Sequence, residues 1–281
     1  MNFVKTVVLM GLLTGLFIWV GDMLGGRNGM FIALALAAGM NIMSYWFSDK
    51  IILAMYRAQP VDPASAPRLY ATVERLARRR DLPTPRVYVI ADPAPNAFAT
   101  GRDPQHAVVA VTEGIVRLLS EEELEGVIAH ELSHVGNRDM LIGAIAATMA
   151  GALMILARIF AYSTLFFGGG RNDRGGGGLG ALFMVVLAPI AALLIQMAIS
   201  RSREYQADAS AAELTGNPLA LARALAKLQR GNEMMPMNAQ PATAHMFTIS
   251  PLSGGGLLSL FSTHPPLEDR IARLQRMAHG G

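Results

Sequence analysis

The sequence predicts the α+β fold class, with four transmembrane helices and a polar domain that contains a small sheet. Four long apolar runs interrupt the 281 residues, of which 52% are hydrophobic and 16% charged. Short β-rich stretches lie between the second and third runs, and an H-E-x-x-H motif follows them on a segment with helical periodicity. Strands followed by a helix with a metal-binding motif suggest a small sheet beside a metal site.

Each apolar run approaches or exceeds the ~20 residues that a helix needs to cross a hydrocarbon core. The first two runs are separated by a glycine-containing turn, and the last two by a glycine-rich linker, so we expect two helical hairpins. A cleaved signal peptide is the alternative for the first run, but no small-x-small cleavage site follows it. Buried core helices are the alternative for the last two. The runs are Val4–Val20, Met30–Phe47, Leu141–Phe167 and Leu179–Ser200.

The polar segments have shorter elements. Strands are indicated where β-branched residues cluster, and helices where apolar residues recur at helical spacing. A stretch rich in Met, Pro, Gly and Ser, from Met234 to Gly256, is predicted to be a mobile loop. The predicted helices are Ala64–Arg80, Pro218–Gln229 and Pro266–Met277, and the predicted strands are Arg86–Ile90, Ala97–Gly101 and Ala107–Val111.

The H-E-x-x-H motif is the most informative feature of the chain. Residues four apart lie on one face of a helix, so His130 and His134 can bind one metal ion. Glu131 lies beside them and can take a proton from a metal-bound water. Ser120 is a plausible helix N-cap, with Glu123 at the capping-box spacing, so the motif lies inside a helix. Two surface histidines on an ordinary helix are the alternative interpretation.

A third ligand is expected on another helix. Glu204 and Asp208 are four residues apart and would share a face. A glutamate completes a two-histidine zinc site, and an aspartate one turn later can accept a hydrogen bond from a ligand histidine. His134 precedes the third apolar run and Glu204 follows the fourth, so antiparallel spans would bring them together. The sequence therefore predicts one Zn²⁺ per chain; a solvated helix face is the alternative for Glu204 and Asp208.

These elements divide the chain into four parts. Residues 1–47 form an N-terminal transmembrane hairpin and 141–200 a second one, while 48–140 and 201–281 form the two parts of a zincin-like domain. Two crossings return the chain to the side that it left, so both polar parts share one side of the membrane. Basic residues near the membrane ends favour the cytoplasm for that side. We therefore expect a multi-pass inner-membrane protein whose catalytic domain faces the cytoplasm.

Several motifs occur in a fixed order and together resemble a known family. After Trp46–Lys50 come Asn96–Gly101, His130–His134, Glu204–Asp208 and Ser262–Pro266. This order, over nearly the whole chain, resembles the HtpX-type membrane zinc metallopeptidases, relatives of the CAAX prenyl endopeptidases. The resemblance implies hydrolysis of misfolded or damaged membrane proteins, or of unfolded polypeptides, in protein quality control and stress response.

The resemblance also implies roles for particular residues. It makes His130, His134 and Glu204 the zinc ligands and Glu131 the general base. It places His264 and Arg270 near the metal, where they could supply positive charge to an oxyanion, while Tyr205 is a weaker candidate for that role. For His264, a helix N-terminal turn fixed by prolines is an equally good interpretation. It further implies an edge strand that binds extended substrate through its backbone, formed by Asn96, Ala97, Phe98 and Ala99.

Other classes of function fit less well. The main alternative is a non-catalytic zinc-binding membrane scaffold, which would not need the base Glu131. An intramembrane protease is disfavoured because charged residues flank the H-E-x-x-H motif, and a transporter because the spans lack paired charges. The net charge of +3 is spread along the chain, so no nucleic-acid partner is expected, whereas the lipid bilayer is. His106, His245 and His279 lack partners at ligand spacing, and the sequence leaves the oligomeric state open.

Overall fold

The computed structural model describes residues 2–167, 201–251 and 264–279 of the chain. The predicted fourth apolar run, Leu179–Ser200, and the glycine-rich linker before it lie outside the described residues. The same holds for residues 252–256 of the predicted loop and for residues 262–263 of the last motif.

The described elements alternate between helices and short strands. The strands are β1 (Gln59–Val61), β2 (Arg86–Ile90), β3 (Ala97–Thr100) and β4 (Val108–Thr112). Short 3₁₀ helices span Pro104–His106 and Pro241–Met246. The α-helices are α1 (Asn2–Met55), α2 (Pro67–Arg79), α3 (Glu113–Leu118), α4 (Glu121–Gly136), α5 (Met140–Phe167), α6 (Arg201–Thr215), α7 (Pro218–Met234) and α8 (Leu267–Ala278).

Helix α1 folds back on itself at two glycines. The backbone leaves helical geometry at Gly25 and Gly26, and Gly26 has a φ of 55°, a left-handed conformation that glycine adopts without strain. On either side of this turn, Asn41 Nδ2 donates a 2.9 Å hydrogen bond to Thr14 Oγ1. A Cβ on Gly29 would overlap the carbonyl of Gly21. The two halves of α1 therefore pack against each other as a hairpin.

One helical segment of the described chain is long and apolar enough to cross a membrane, Gly25–Met55. Its apolar side chains point outward; Phe31, Ile32 and Leu36 are 58–62% exposed. Exposed apolar surface of this extent is unusual in contact with water. Two shorter apolar helices, Thr6–Trp19 and Met140–Met154, fall below that length. The number of spans stays a prediction.

The sheet is small and mixed. Its order is β1-β2-β4-β3, with β2 and β4 parallel and the other two pairs antiparallel. Every residue of β4 is buried, as expected for a central strand rich in valine. Strand β3 pairs with β4 alone among the described strands, so it forms one edge of the sheet.

Helix α4 is held between the sheet and two other helices. Val109 of β4, Ile128 and Leu132 of α4, Leu76 of α2 and Leu225 of α7 belong to one cluster and are fully buried. At the start of α4, Ser120 and Glu123 form the capping box that the sequence predicts. Burial of this apolar face, at about 25 cal/mol per Å², fixes α4 and therefore the histidines that it carries.

The predicted mobile loop is in part a packed element. Residues 241–248, which we call the strap, comprise the 3₁₀ helix Pro241–Met246 followed by Phe247 and Thr248. The Phe247 ring is 5.3 Å from that of Phe98 and 5.2 Å from that of Tyr56, both in edge-on arrangements. Phe247 is 1% exposed. The prediction of mobility is therefore wrong for the strap, because aromatic contacts from distant parts of the chain hold it in place.

Candidate metal centre

Helix α4 presents both histidines of the motif to one point. His130 and His134 are one turn apart, and their Nε2 atoms lie 3.3 Å from each other. Their rings are nearly perpendicular, with centroids 4.9 Å apart. Two imidazoles with converging nitrogens supply two of the three protein ligands that a catalytic zinc site needs.

Helix α6 adds a carboxylate to this pair. Glu204 Oε2 lies 3.7 Å from His130 Nε2, and Glu204 Oε1 lies 3.6 Å from His134 Nε2. Ligand atoms of the three residues all lie within 4.8 Å of one another. Bonds of ~2.1 Å in tetrahedral geometry place neighbouring zinc ligands roughly 3.4 Å apart. The three side chains therefore fit a zinc ion, which they would hold with two nitrogens and one carboxylate.

The outer nitrogen of each histidine meets a carboxylate. His130 Nδ1 donates to Asp208 Oδ1 at 2.9 Å, and His134 Nδ1 lies 3.6 Å from Asp139 Oδ2. Asp139 in turn accepts a 3.1 Å bond from Arg203 Nη1. These contacts place the proton on Nδ1 and leave Nε2 as the metal-facing nitrogen, the usual arrangement for a histidine ligand.

Buried charges keep the carboxylates of the site ionised. Burial by itself raises the pKa of Glu204, but the nearby His264 and His134 outweigh it and hold that pKa well below its usual value. For Asp208, burial likewise raises the pKa, and the Arg270 guanidinium and His130 lower it overall. Both side chains therefore carry a negative charge at neutral pH, which favours binding of a cation.

The carboxylates of the site also raise the pKa of His134. Burial lowers its pKa, yet the hydrogen bond that it donates to Asp139 and the charges of Glu204 and Glu131 raise it to about 9. A proton therefore binds tightly between these groups. A metal ion that occupies the site displaces this proton, because the ligand nitrogen must be unprotonated.

Glu131 is buried beside the ligands, with 2% of its surface exposed. Its Oε1 accepts a 2.6 Å hydrogen bond from the hydroxyl of Thr248 in the strap. Glu131, the three ligands and His264 line one cavity of about 60 Å³, which has room for a few water-sized groups. The carboxylate therefore faces the space next to the metal position, as a general base must.

His264 is the one oxyanion candidate that the structure places in this cavity. Its Nδ1 lies 3.2 Å from Glu204 Oε2. Its Nε2 is buried and has no hydrogen-bond partner among the described residues. That nitrogen is therefore available to a bound substrate.

Arg270 lies close to the ligands but is paired with a carboxylate; its Nη2 is 3.5 Å from His130 Nε2. It is 1% exposed, and its Nε and Nη2 donate to the two carboxylate oxygens of Asp208 at 2.8 and 2.7 Å. Its Nη1 donates to the Thr248 carbonyl at 3.0 Å. Arg270 does not line the metal cavity, because this bidentate pair directs its guanidinium at Asp208. In this arrangement Arg270 contacts Asp208, which in turn orients His130; its role toward an oxyanion stays a prediction.

Tyr205 is also placed elsewhere. The Arg273 guanidinium stacks on its ring, 3.7 Å from the centroid. Tyr205 borders a different surface cavity, next to Ala209 and Met277. As the neighbour of Glu204 on a helix it faces about 100° away, so the structure places its ring outside the metal cavity.

The predicted substrate strand is an edge strand, but only part of it borders the cavity. Ala99 lines the cavity. Asn96 donates from its side chain to the Ile249 carbonyl, Phe98 is buried among aromatic rings, and the Ala97 carbonyl accepts a 2.9 Å bond from the Thr248 amide. The strap therefore covers the edge at Ala97, and Ile249, the next residue, covers it at Asn96.

Three polar residues near the site went unrecognised in the sequence. Asp139 lies five residues after His134, a spacing that could have indicated a partner for that histidine. Thr248 and His245 carry no local signal, because the strap reaches the site only through tertiary packing. His245 lines the cavity, and its Nε2 donates to the Gly143 carbonyl at 3.1 Å. Burial lowers the pKa of His245 to about 4, so its ring is neutral.

Two histidines and a glutamate around one point, with an adjacent buried glutamate, define a metallopeptidase-type site. Residues 63–278 match the model of Peptidase family M48, and the chain belongs to that family.

Related proteins of known name agree with this assignment. The chain is 58% identical to a "Protease HtpX homolog" of Desulfatibacillum aliphaticivorans, over 97% of this chain and 89% of the relative. It is 57% identical to a "Protease HtpX homolog" of Syntrophobacter fumaroxidans, over 97% and 98% of the two chains. The resemblance to HtpX-type proteins is therefore confirmed.

A solved structure supports the fold. The crystal structure of S. mikatae Ste24p matches with a TM-score of 0.52 and 22% identity. The match covers 97% of this chain and 65% of that one, so the present chain spans about two thirds of its length.

The family and the site together give the class of activity. The chain is a membrane zinc endopeptidase, as the sequence predicted, and its cofactor is zinc. The prediction of an α+β chain is confirmed at the level of a mostly helical protein with a small mixed sheet.

Proposed function

We propose that the chain cuts peptide bonds in cytoplasmic segments of misfolded or damaged membrane proteins, as part of protein quality control under stress. The catalytic part of this proposal is supported by the ligand atoms of His130, His134 and Glu204, which lie within 4.8 Å of one another beside the buried Glu131. In this proposal those three residues hold one Zn²⁺, and Asp208 orients His130.

The chemistry divides between the metal and the side chains. When bound, zinc supplies a Lewis acid that lowers the pKa of water from 15.7 toward ~7. Glu131 takes the proton of the attacking water and delivers it to the leaving amine. Thr248 holds the Glu131 carboxylate through its 2.6 Å bond, at the cavity that both residues line. No covalent acyl-enzyme is required.

His264 is proposed to stabilise the oxyanion. Its Nδ1–H is directed at Glu204, which leaves Nε2 at the cavity. In its protonated form the ring donates from Nε2 to the developing negative charge. An oriented donor in a buried site is the strongest kind of transition-state stabilisation that a side chain offers.

The substrate class follows from where the cavity lies. Met140 and Gly143, in the first turns of α5, line the cavity together with the ligands. Residues Met140–Met154 are apolar, and Met140, the first of them, lines the same cavity as His134. A segment that emerges from the bilayer can therefore reach the site, and Ala99 offers it an edge for backbone pairing.

The topology belongs to the same proposal. Four transmembrane helices, in hairpins 1–47 and 141–200, would carry a zincin-like domain formed by 48–140 and 201–281. This domain would face the cytoplasm from the inner membrane. The hairpin turn at Gly25 and Gly26 and the basic residues near the membrane ends support this arrangement.

The test is cleavage of an unfolded protein by the detergent-purified chain, with the zinc content of each sample measured. We expect zinc-loaded wild type to cut, Glu131→Gln to keep zinc without cutting, and Glu204→Ala to lose zinc. Cleavage by Glu131→Gln at the wild-type rate would refute the assigned base. A zinc-loaded wild type inert toward both unfolded and membrane-inserted substrates would instead indicate a zinc-binding scaffold.

A further inference from the structure

A second cavity lies far along the apolar helix from the hairpin turn and shares no lining residue with the metal cavity. It has a volume of about 500 Å³ and is lined by aromatic and basic side chains. These side chains include Trp46, Phe47, Lys50, Arg86 and Arg102. They come from α1, from β2 and from the turn that follows β3.

The position of this cavity relative to the bilayer follows from the length of the helix Gly25–Met55. The apolar helix Gly25–Met55 has 31 residues, or roughly 46 Å at 1.5 Å per residue. About 20 of these residues span a hydrocarbon core of ~30 Å. Counted from the turn at Gly26, the core ends close to Trp46 and Phe47. Those side chains are 50% and 45% exposed, as aromatic residues at a membrane interface are.

The basic residues of this cavity are held in place by aromatic rings. The Arg102 guanidinium lies 4.8 Å from the centroid of the Trp46 ring, and Lys50 Nζ lies 5.3 Å from that of Phe47. Arg102 Nη2 also donates to His106 Nε2 at 2.6 Å. The side chains of Arg102 and Lys50 are therefore oriented before a ligand binds. Less side-chain entropy is then lost when a ligand binds.

The charges in and around the cavity do not cancel. Arg86 pairs with Asp49 at 2.9 Å, and Arg102 lies 3.4 Å from Asp103. No described carboxylate lies within salt-bridge distance of Lys50. Three cations and two carboxylates leave an excess of one positive charge, next to exposed aromatic surface.

We propose that this cavity binds the phosphate of an anionic phospholipid. Lys50 and Arg102 would contact the phosphate, and the acyl chains would extend along the exposed face of Trp46 and Phe47. A phospholipid fits better than a soluble phosphate because the cations adjoin apolar helix surface at the level of the headgroups. The proposal rests on the membrane insertion of Gly25–Met55 and not on the zinc chemistry.

A bound headgroup would join three parts of the chain. Lys50 belongs to the apolar helix, Arg86 begins β2, and Arg102 follows β3, the strand whose Ala99 lines the metal cavity. The lipid would therefore fix the sheet against the membrane and set the height of the edge strand above it.

The test is lipid retention by the zinc-loaded full chain in mild detergent, measured by native mass spectrometry during titration with phosphatidylglycerol. The test variant combines Lys50→Gln and Arg102→Gln. The control combines Arg68→Gln and Arg117→Gln, which remove the same charge at exposed residues outside this cavity. A cation near the bilayer surface contributes ~1 kcal/mol, so losing two should weaken retention by roughly thirtyfold.

We expect wild type and the control to retain phosphatidylglycerol, and the test variant to require about thirtyfold more. Equal retention by the test variant, or equal loss in both double variants, would overturn the proposal. So would equal retention of phosphatidylcholine, or displacement of the lipid by millimolar inorganic phosphate. Zinc content and peptide cleavage of the same samples report on folding and on the catalytic proposal separately, since Lys50 and Arg102 lie outside the metal cavity.

Discussion

His130 can bind a metal through Nε2 because its Nδ1–H donates a hydrogen bond to Asp208, and Asp208 stays charged because Arg270 pairs with both of its oxygens. Arg270 thus acts on the metal position through two intervening residues, Asp208 and His130. All three side chains are at most 3% exposed. A buried pair of this kind is costly to break, because the partner left behind is an unpaired buried charge.

Replacing Arg270 by methionine should therefore damage the zinc site without touching a ligand. We expect zinc affinity to fall by about 10- to 100-fold and the protein to lose roughly 3–5 kcal/mol of stability. Competition with a chelator measures the first effect and thermal melting the second. Arg273→Met is the matched control, because Arg273 lies on the same helix but stacks on Tyr205. Unchanged zinc affinity in Arg270→Met would contradict the positioning role.

Thr248 provides a second test at the same scale, since its hydroxyl orients Glu131. Thr248→Val keeps the shape of the side chain and removes the hydrogen bond. Hydrogen bonds to charged groups contribute about 1.5–3 kcal/mol, so kcat should fall roughly 10- to 100-fold while zinc content stays constant. Thr248→Ser should restore most of the rate. If Thr248→Val keeps wild-type kcat, the hydroxyl does not position the base.

The elements differ in how far the sequence alone predicts them. Helix α4 is predictable because its signals are local: the capping box at Ser120 and Glu123, the apolar stripe and the four-residue spacing of the histidines. The contact between Glu204 and α4 follows from motif order and expected topology. The strap is not predictable, because its position depends on packing of Phe247 against rings far away in sequence.

The strap is anchored on α5 by a neutral histidine, which makes its attachment sensitive to acid. Burial holds the pKa of His245 at about 4, against 6.5 for an unfolded histidine. Between these values the unfolded chain binds the extra proton, so stability falls as pH falls. The loss from pH 7 to pH 5 is about 2 kcal/mol.

His245→Gln should therefore flatten part of the acid dependence of stability. Its melting temperature should drop less between pH 7 and pH 5 than that of wild type. His279→Gln replaces an exposed histidine and should behave like wild type. Because His245 lines the metal cavity, the zinc content of each sample is measured at both pH values, and only samples with equal zinc content are compared. Identical pH profiles would show that His245 is not buried in its neutral form.

At the scale of the whole molecule, the metal centre joins parts of the chain that lie on either side of residues 141–200. His130 and His134 precede this stretch and Glu204 follows it. If 141–200 is a membrane hairpin, both polar parts must lie on one side of the bilayer. If the helix Gly25–Met55 also crosses it, the turn at Gly25–Gly26 must lie on the other side.

The absence of cysteine from the sequence makes this topology straightforward to measure. Single cysteines would replace Asn28, near the hairpin turn, and Arg78 and Gln275, in the two polar parts; all three positions are exposed. A membrane-impermeant thiol reagent added to intact cells should label only the cysteine at position 28. The other two should react after the cells are opened. Labelling of both positions 78 and 275 in intact cells would show that the two polar parts face outward. Labelling of only one of the two would show that residues 141–200 do not cross the membrane twice.

The contact between Thr248 and Ala97 has a consequence for which polypeptides this enzyme can engage. In an antiparallel edge, alternate residues point their backbone groups outward, here Ala97 and Ala99. The carbonyl of Ala97 is already bonded to the chain's own amide, so an incoming strand gains a new bond at Ala99 and merely exchanges one at Ala97. Exchange contributes little net free energy. If substrate pairs with this edge as proposed, a short or structured segment binds weakly, and long unfolded stretches that make contacts beyond the strap are favoured as substrates.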